Sequence, residues 1–202
     1  MKRLALALAL ALLPGLALAQ VSTWNIDPSH SHASFTVRHL VISNVRGEFG
    51  KTTGVLKLDE KDPTQSTVEA TIDATTIDTR ELKRDEHLKS PDFFDVAKHP
   101  TITFKSTRVE KKGEGKLAVT GDLTLHGVTR PVTLDVVGPT PEVKDPWGNA
   151  RRGFSASGEL DRKEFGLLWS KTVEAGPVVG DKVKIEIEAE FLKQGPAKAA
   201  AK

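Results

Sequence analysis

The sequence predicts an all-β domain whose strands close on one another, and three observations carry that expectation. From Lys116 to His126, Leu117, Val119, Leu123 and Leu125 alternate with Lys116, Thr120, Asp122, Thr124 and His126. A two-residue period with one apolar side marks a strand that buries a single face. The pattern recurs: Val68, Ala70, Ile72 and Ala74 oppose Glu69, Thr71, Asp73 and Thr75, while Val183, Ile185, Ile187, Ala189 and Phe191 oppose Lys184, Glu186, Glu188 and Glu190. One single-layer sheet cannot bury so many half-apolar strands, so they must close as a barrel or stack as a sandwich. Strands outnumber helices by about eight to one and the connections are mostly short, which favours a meandering antiparallel barrel over any βαβ design.

Each element follows from local chemistry. A first strand, Ser22 to Ile26, stops at Asp27-Pro28, because proline removes a ladder donor and restricts its predecessor. In the second, Phe35, Val37 and His39 share one face and Ser34, Thr36 and Arg38 the other. Gly47 and Gly54 bracket a third region around Phe49, Val55 to Leu58 form its partner, and Asp62-Pro63-Thr64 is a turn. Val68 to Ile77 is expected as one long strand. Asp78 to Ser90 then holds strong helix formers, so one short surface helix is expected around 79–89, capped by Asp78 or Thr79 and ended at Ser90-Pro91.

Beyond the helix the two-residue period returns. Ile102 to Val109 turns at Lys112-Gly113-Glu114-Gly115 into the strand with which this section began. Gly127 to Pro131 is expected to punctuate the chain before a strand of Val132, Leu134 and Val136, and Pro139 to Asn149 is a loop. Phe154, Ala156 and Leu160 make the next strand, a loop carries Phe165-Gly166 and Trp169, and Lys182 to Leu192 is the final strand.

Residues 1–19 are of another kind: Lys2 and Arg3, an Ala/Leu run, then Pro14-Gly15 and the small-residue exit Ala17-Leu18-Ala19. These are the parts of a secretory signal peptide, expected to be cleaved after Ala19 and to deliver a periplasmic or secreted protein. The run is too short for the roughly 20 apolar residues that cross a bilayer. Residues 20–193 are then one domain and 194–202 a disordered Ala/Lys-rich tail. Without Lys2 and Arg3 the 29 basic residues fall to parity with the 27 acidic ones, which argues against a nucleic-acid partner. Cysteine is absent, so the core must hold without disulfides. A transmembrane barrel would need apolar outward faces and aromatic girdles. Here tyrosine is absent, aromatics number 3 Trp and 8 Phe, and the polar strand faces are rich in Lys and Glu.

Chemistry-bearing motifs are sparse. His30 and His32 would share a strand face, but metal binding needs further ligands and His39, His87, His99 and His126 are scattered along the chain, so no metal site is expected. Arg84-Asp85-Glu86-His87 holds proton carriers on what should be a wet helix face. No nucleophile elbow, phosphate loop or zinc-protease helix is present, so no catalytic residue and no cofactor are assigned.

The landmarks together resemble the YceI-like family of exported lipid- or polyisoprenoid-binding proteins. The resemblance runs from Trp24 to Leu192. Its carriers include Ile26-Asp27-Pro28-Ser29-His30-Ser31, Phe35-Thr36-Val37-Arg38-His39, Gly47-Glu48-Phe49, Arg84-Asp85-Glu86-His87-Leu88, Asp92-Phe93-Phe94-Asp95 and His99-Pro100-Thr101-Ile102-Thr103-Phe104. Gly121 to Val132 and Arg162-Lys163-Glu164-Phe165-Gly166 complete them. The resemblance implies a lipocalin-like, extended eight-stranded antiparallel barrel in the periplasm that holds a long isoprenoid or another amphiphilic lipid, with transient membrane contact and a homodimer as further implied partnerships.

An eight-stranded barrel can be filled by side chains or hold one slender guest. Small residues on the inward register (Ala70, Ala74, Gly121, Ala156, Gly158 and Ala189) favour an open interior. The ligand-binding residues expected on the inner wall are Phe35, Val37, Phe49, Ile72, Phe104, Leu123, Leu125, Leu134, Phe154 and Ile185, with Phe93, Phe94, Phe165 and Trp169 near a mouth. His39, Asp85 and His87 are candidates for a polar head group. Burying a five-carbon isoprene unit from water releases about 3–4 kcal/mol, at ~0.8 kcal/mol per carbon. A lipid that leaves a bilayer for a dry tunnel only exchanges one apolar medium for another, which suits reversible carriage or storage. The alternative use of the same interior is a hydrolase or isomerase with His39 or His87 as base.

Overall fold

The computed structural model describes residues 21–174 and 176–195; the leader and all but the first two residues of the tail lie outside the described residues. In chain order the main elements are β1 (Val21–Ile26), β2 (His32–His39), β3 (Ser43–Phe49), β4 (Thr52–Asp59), β5 (Thr67–Asp73), β6 (Ile77–Asp78), α1 (Leu82–Lys89), β7 (Thr101–Gly113), β8 (Lys116–Leu125), β9 (Val128–Val137), β10 (Val143–Lys144), β11 (Ala150–Asp161), β12 (Thr172–Val173), β13 (Gly176–Pro177) and β14 (Val179–Lys193). Eight strands close a circle of antiparallel pairs, β1–β4–β5–β7–β8–β9–β11–β14, with β14 returning to β1. One edge of β14 pairs with β11 from Lys182 to Leu192. Its other edge is shared, with β2 along Val179–Glu188 and β1 along Phe191–Lys193. From β2 the sheet continues through β3 to β6 and lengthens one side of the barrel.

Two hydrophobic clusters cork the ends. At one end Trp24, Ile26, Leu58 and Phe191 pack together, with the Arg152 guanidinium 5.4 Å from the Trp24 ring centroid. At the other, Phe49, Ile77, Phe93, Leu125, Phe165 and Leu167 pack together under α1. Between them Leu117, Val119, Leu134 and Val136 line the mid-wall. The first end is tied outside by Arg151, which bonds Asp27 at 2.7 Å, Asp145 at 2.8 Å and also Glu190. The His30 imidazole and the Arg151 guanidinium hold the Asp27 carboxyl far below the usual carboxylate range. Burial would raise Asp145, but hydrogen bonds from Asn149, Arg151 and two backbone N–H groups outweigh it and lower its pKa to about 2.

Several local expectations are corrected. The strand expected over Val68–Ile77 breaks after Asp73, whose carboxylate accepts from the Thr75 N–H and hydroxyl and caps a short 3-10 turn. That turn buries Ala74, and β6 crosses to β3. The helix is capped by Glu81 rather than Asp78 or Thr79. Asp85 instead reaches back to accept from the Thr79 N–H at 2.8 Å and from its hydroxyl, while Arg84 donates to the Thr79 hydroxyl and carbonyl. Of the cluster expected to be a wet face, Arg84 and Asp85 form a clamp on Thr79, while Glu86 is exposed and His87 pairs with Asp92, as a wet face would have them. Gly127 to Pro131 is mostly strand: His126 (φ 51°) and Gly127 (φ 74°) alone make the turn, both left-handed as a type I′ hairpin requires. Pro131 is tolerated inside β9 because the strand's other edge meets β11 only at Asp135–Val137.

Candidate functional site

The barrel encloses an apolar cavity of about 290 Å³, counted as the space open to the centre of a water molecule. A cavity of about 150 Å³ holds one benzene, so this one has room for about twelve carbons, or roughly two isoprene units. The inward row of β14 shows the hollowness directly. Val183, Ile185, Ile187 and Ala189 are only half-buried, whereas a solid core would bury them completely.

The wall is built from register. On β8, Leu117, Val119, Leu123 and Leu125 face inward; on β7, Ile102 and Phe104; on β9, Val132, Leu134 and Val136. Of the residues expected on the wall, Phe35, Val37, Phe49, Ile72, Phe104, Leu123, Leu125, Leu134, Phe154 and Ile185 all line the cavity, as do Phe93 and Phe94. Phe165 lies behind the wall, 1% exposed. Trp169 sits outside Phe93, with ring centroids 5.1 Å apart, and His87 packs edge-on against both rings.

The three polar candidates are not part of the wall. His39 is at the end of β2, opposite Val179. Asp85 holds Thr79, and His87 pairs with Asp92 at 2.8 Å. Small inward residues act in two ways. Ala70, Ala156 and Ala189 leave open wall, but at Gly121 and Gly158 the space of a Cβ is taken by the Phe104 ring and a Leu134 methyl. There glycine lets a large neighbour lie flat against the backbone.

Two polar residues of the cavity had no clear signal in the sequence. The Thr52 hydroxyl is buried without a hydrogen-bond partner among the described residues. Thr52 lines the lumen, but its hydroxyl oxygen has no surface open to that space. The alternation of Thr52 with Leu56 and Leu58 places it inward, though nothing singles it out. Arg162, 4% exposed, also touches the cavity, but its guanidinium is occupied by the carbonyls of Gly180, Trp169 and Leu167 and by Asp181. It fastens the 166–181 segment to the barrel and leaves no free charge for a substrate.

Among the described residues two trios could hold a cation. Asp27, His30 and Glu190 form the first, but Arg151 already neutralises both carboxylates. Asp95, His99 and His126 form the second. His32 stands outside both trios, and the His30 ring lies 2.9 Å from the Asp27 carboxylate at the entrance to β2.

A model of the YceI-like domain matches residues 24–191. The chain belongs to the YceI-like family. A UPF0312 protein of Vibrio parahaemolyticus is 41% identical over 187 residues, covering 91% of each chain. Among solved structures, Burkholderia cenocepacia BcnA superposes with a TM-score of 0.71 at 24% identity, over 82% of this chain and 98% of that one. A polyisoprenoid binding domain from Saccharophagus degradans superposes with a TM-score of 0.62 at 14% identity, over 87% of this chain and all of that one. Both structures share the YceI-like barrel with this chain, and the cavity described above is the interior of that barrel.

Proposed function

We propose that this YceI-like protein is exported, loses residues 1–19, and holds a long-chain isoprenoid or a similar amphiphilic lipid inside the barrel for carriage or storage. The apolar cavity carries the reading, since an empty apolar lumen stabilises a guest chiefly through hydrocarbon burial. The name of the Saccharophagus degradans domain supports the same ligand class. The head-group roles considered for His39, Asp85 and His87 are not part of this reading, since none of the three lines the cavity. Delivery would need transient membrane contact, and a homodimer remains part of the proposal.

Binding is favoured over the hydrolase or isomerase reading because the lining carries no histidine and its buried arginine is already saturated. The decisive experiment is organic extraction of protein purified from its own compartment, followed by mass spectrometry. One equivalent of lipid is expected. Repeated recovery of clean apoprotein that also fails to take up a fluorescent prenyl probe would refute the reading.

A further inference from the structure

We propose that Asp95, His99 and His126 form a binding site for a late first-row divalent cation, with Zn2+ as its probe. The ligand atoms of the three residues all lie within 4.8 Å of one another. Around a tetrahedral zinc with bonds of about 2.0–2.1 Å, neighbouring ligands are about 3.3 Å apart. Closing that gap takes small side-chain rotations, and two imidazoles with one carboxylate are a donor set that zinc accepts, water filling the fourth position.

Three features of the surroundings support a built site. The His126 Nδ1 lies 3.3 Å from the Phe165 carbonyl oxygen. A proton on Nδ1 satisfies that contact and leaves Nε2 with its lone pair free, which is how metal-binding histidines are oriented. Secondly, backbone gives way to the rings: a Cβ at Gly127 would stand 2.7 Å from His99, and one at Gly166 would stand 3.3 Å from His126. Thirdly, Asp95 (φ 44°) holds left-handed backbone outside any hairpin turn, and such strain gathers at functional sites. The rings pack edge to face with centroids 5.0 Å apart. Asp95 is buried and both histidines are half-buried, so an ion can reach the site from solvent. The exposed Lys98 holds one Asp95 oxygen at 2.8 Å, and the carboxylate has a second oxygen to offer.

The three ligands come from two segments, each adjoining the cavity. Asp95 follows Phe93 and Phe94, and His126 follows Leu125. A bound ion would therefore fasten the aromatic cork to the β8–β9 turn. This holds whatever the lumen contains.

Full-length mature protein stripped with chelator should bind one equivalent of Zn2+ in calorimetric titration and gain thermal stability from it. His99→Ala and His126→Ala should each weaken binding about 100-fold or more, while His30→Ala and His87→Ala leave it unchanged. Wild-type protein provides a reading that needs no variant to fold: in NMR spectra, Zn2+ should shift the imidazole resonances of His99 and His126 and leave the other histidines in place. Absence of binding, undiminished binding in both His99→Ala and His126→Ala, or shifts confined to other histidines would overturn the proposal.

Discussion

Replacing Ala156 by Phe tests whether the lumen is empty. Ala156 faces inward on β11, between Val136 on β9 and Ile187 on β14, and forms part of the cavity wall. The substitution adds six carbons, and since a cavity of about 150 Å³ holds one benzene, the new ring takes up to about 150 Å³ of the space available to a guest. Measured against a cavity of about 290 Å³, that is a substantial fraction of the lumen. A guest that fills the lumen must then expose about one isoprene unit, at a cost of up to about 4 kcal/mol for transfer from water. A bilayer donor would hide that cost, so the assay is fluorescence titration with a water-soluble short prenyl probe. Binding should weaken at least tenfold, about 1.4 kcal/mol. Because the ring enters empty space and gains contacts, the thermal midpoint should hold or rise. If the lumen is in truth packed, over-filling costs about 1–3 kcal/mol and lowers Tm, at about 2–4 °C per kcal/mol. A fall in Tm of that order with unchanged uptake would refute the hollow-barrel reasoning.

Leu123→Asp should abolish uptake of the same probe, because a carboxylate in the dry wall cannot be solvated; unaltered uptake by a folded variant would show that β8 presents its other face. Asp85→Ala removes the acceptor for the buried Thr79 N–H and should cost about 1–3 kcal/mol, read as a lower Tm with the helix region opening first in hydrogen exchange. Arg151→Gln should lower Tm at neutral pH. Asp27 and Asp145 have depressed values in the folded state, so the stability they lend is complete above their unfolded pKa near about 3.9 and is lost as pH falls. For Asp145 that loss runs down through about 2, and for Asp27 it continues to lower pH, so the gap between wild type and Arg151→Gln should narrow steadily as pH falls from about 4 to 2. A gap that stays constant over this window would detach the network from its carboxylates.

The strand faces were legible in the sequence because a two-residue period states directly which side is buried, and register carried Phe104, Leu123, Phe154 and Ile185 to the same lumen. Where side chains bond their own backbone, periodicity was silent. Asp73 ended a strand that alternation would have continued to Ile77, and Asp85 turned a charged helix face into a clamp. The meeting of His99 with His126 was hidden for a different reason. It depends on a two-residue turn and a neighbouring segment coming together in space, and chain separation conceals such contacts. Thr52 was equally inconspicuous, since an inward threonine looks like any strand threonine until its partners are counted.

The final strand, Val179–Lys193, borders three others at once, β11 along one edge and β2 and β1 along the opposite one. Without those fifteen residues β11, β1 and β2 would each lose a partner, and the apolar inner face would be left uncovered. Closure therefore waits on the most distant partners in the chain, β1 and β14, which makes assembly slow and exposes a window for misassociation. A chain cut before Val179 would lose the keystone, and it should be recovered as aggregate rather than as a smaller, leakier vessel.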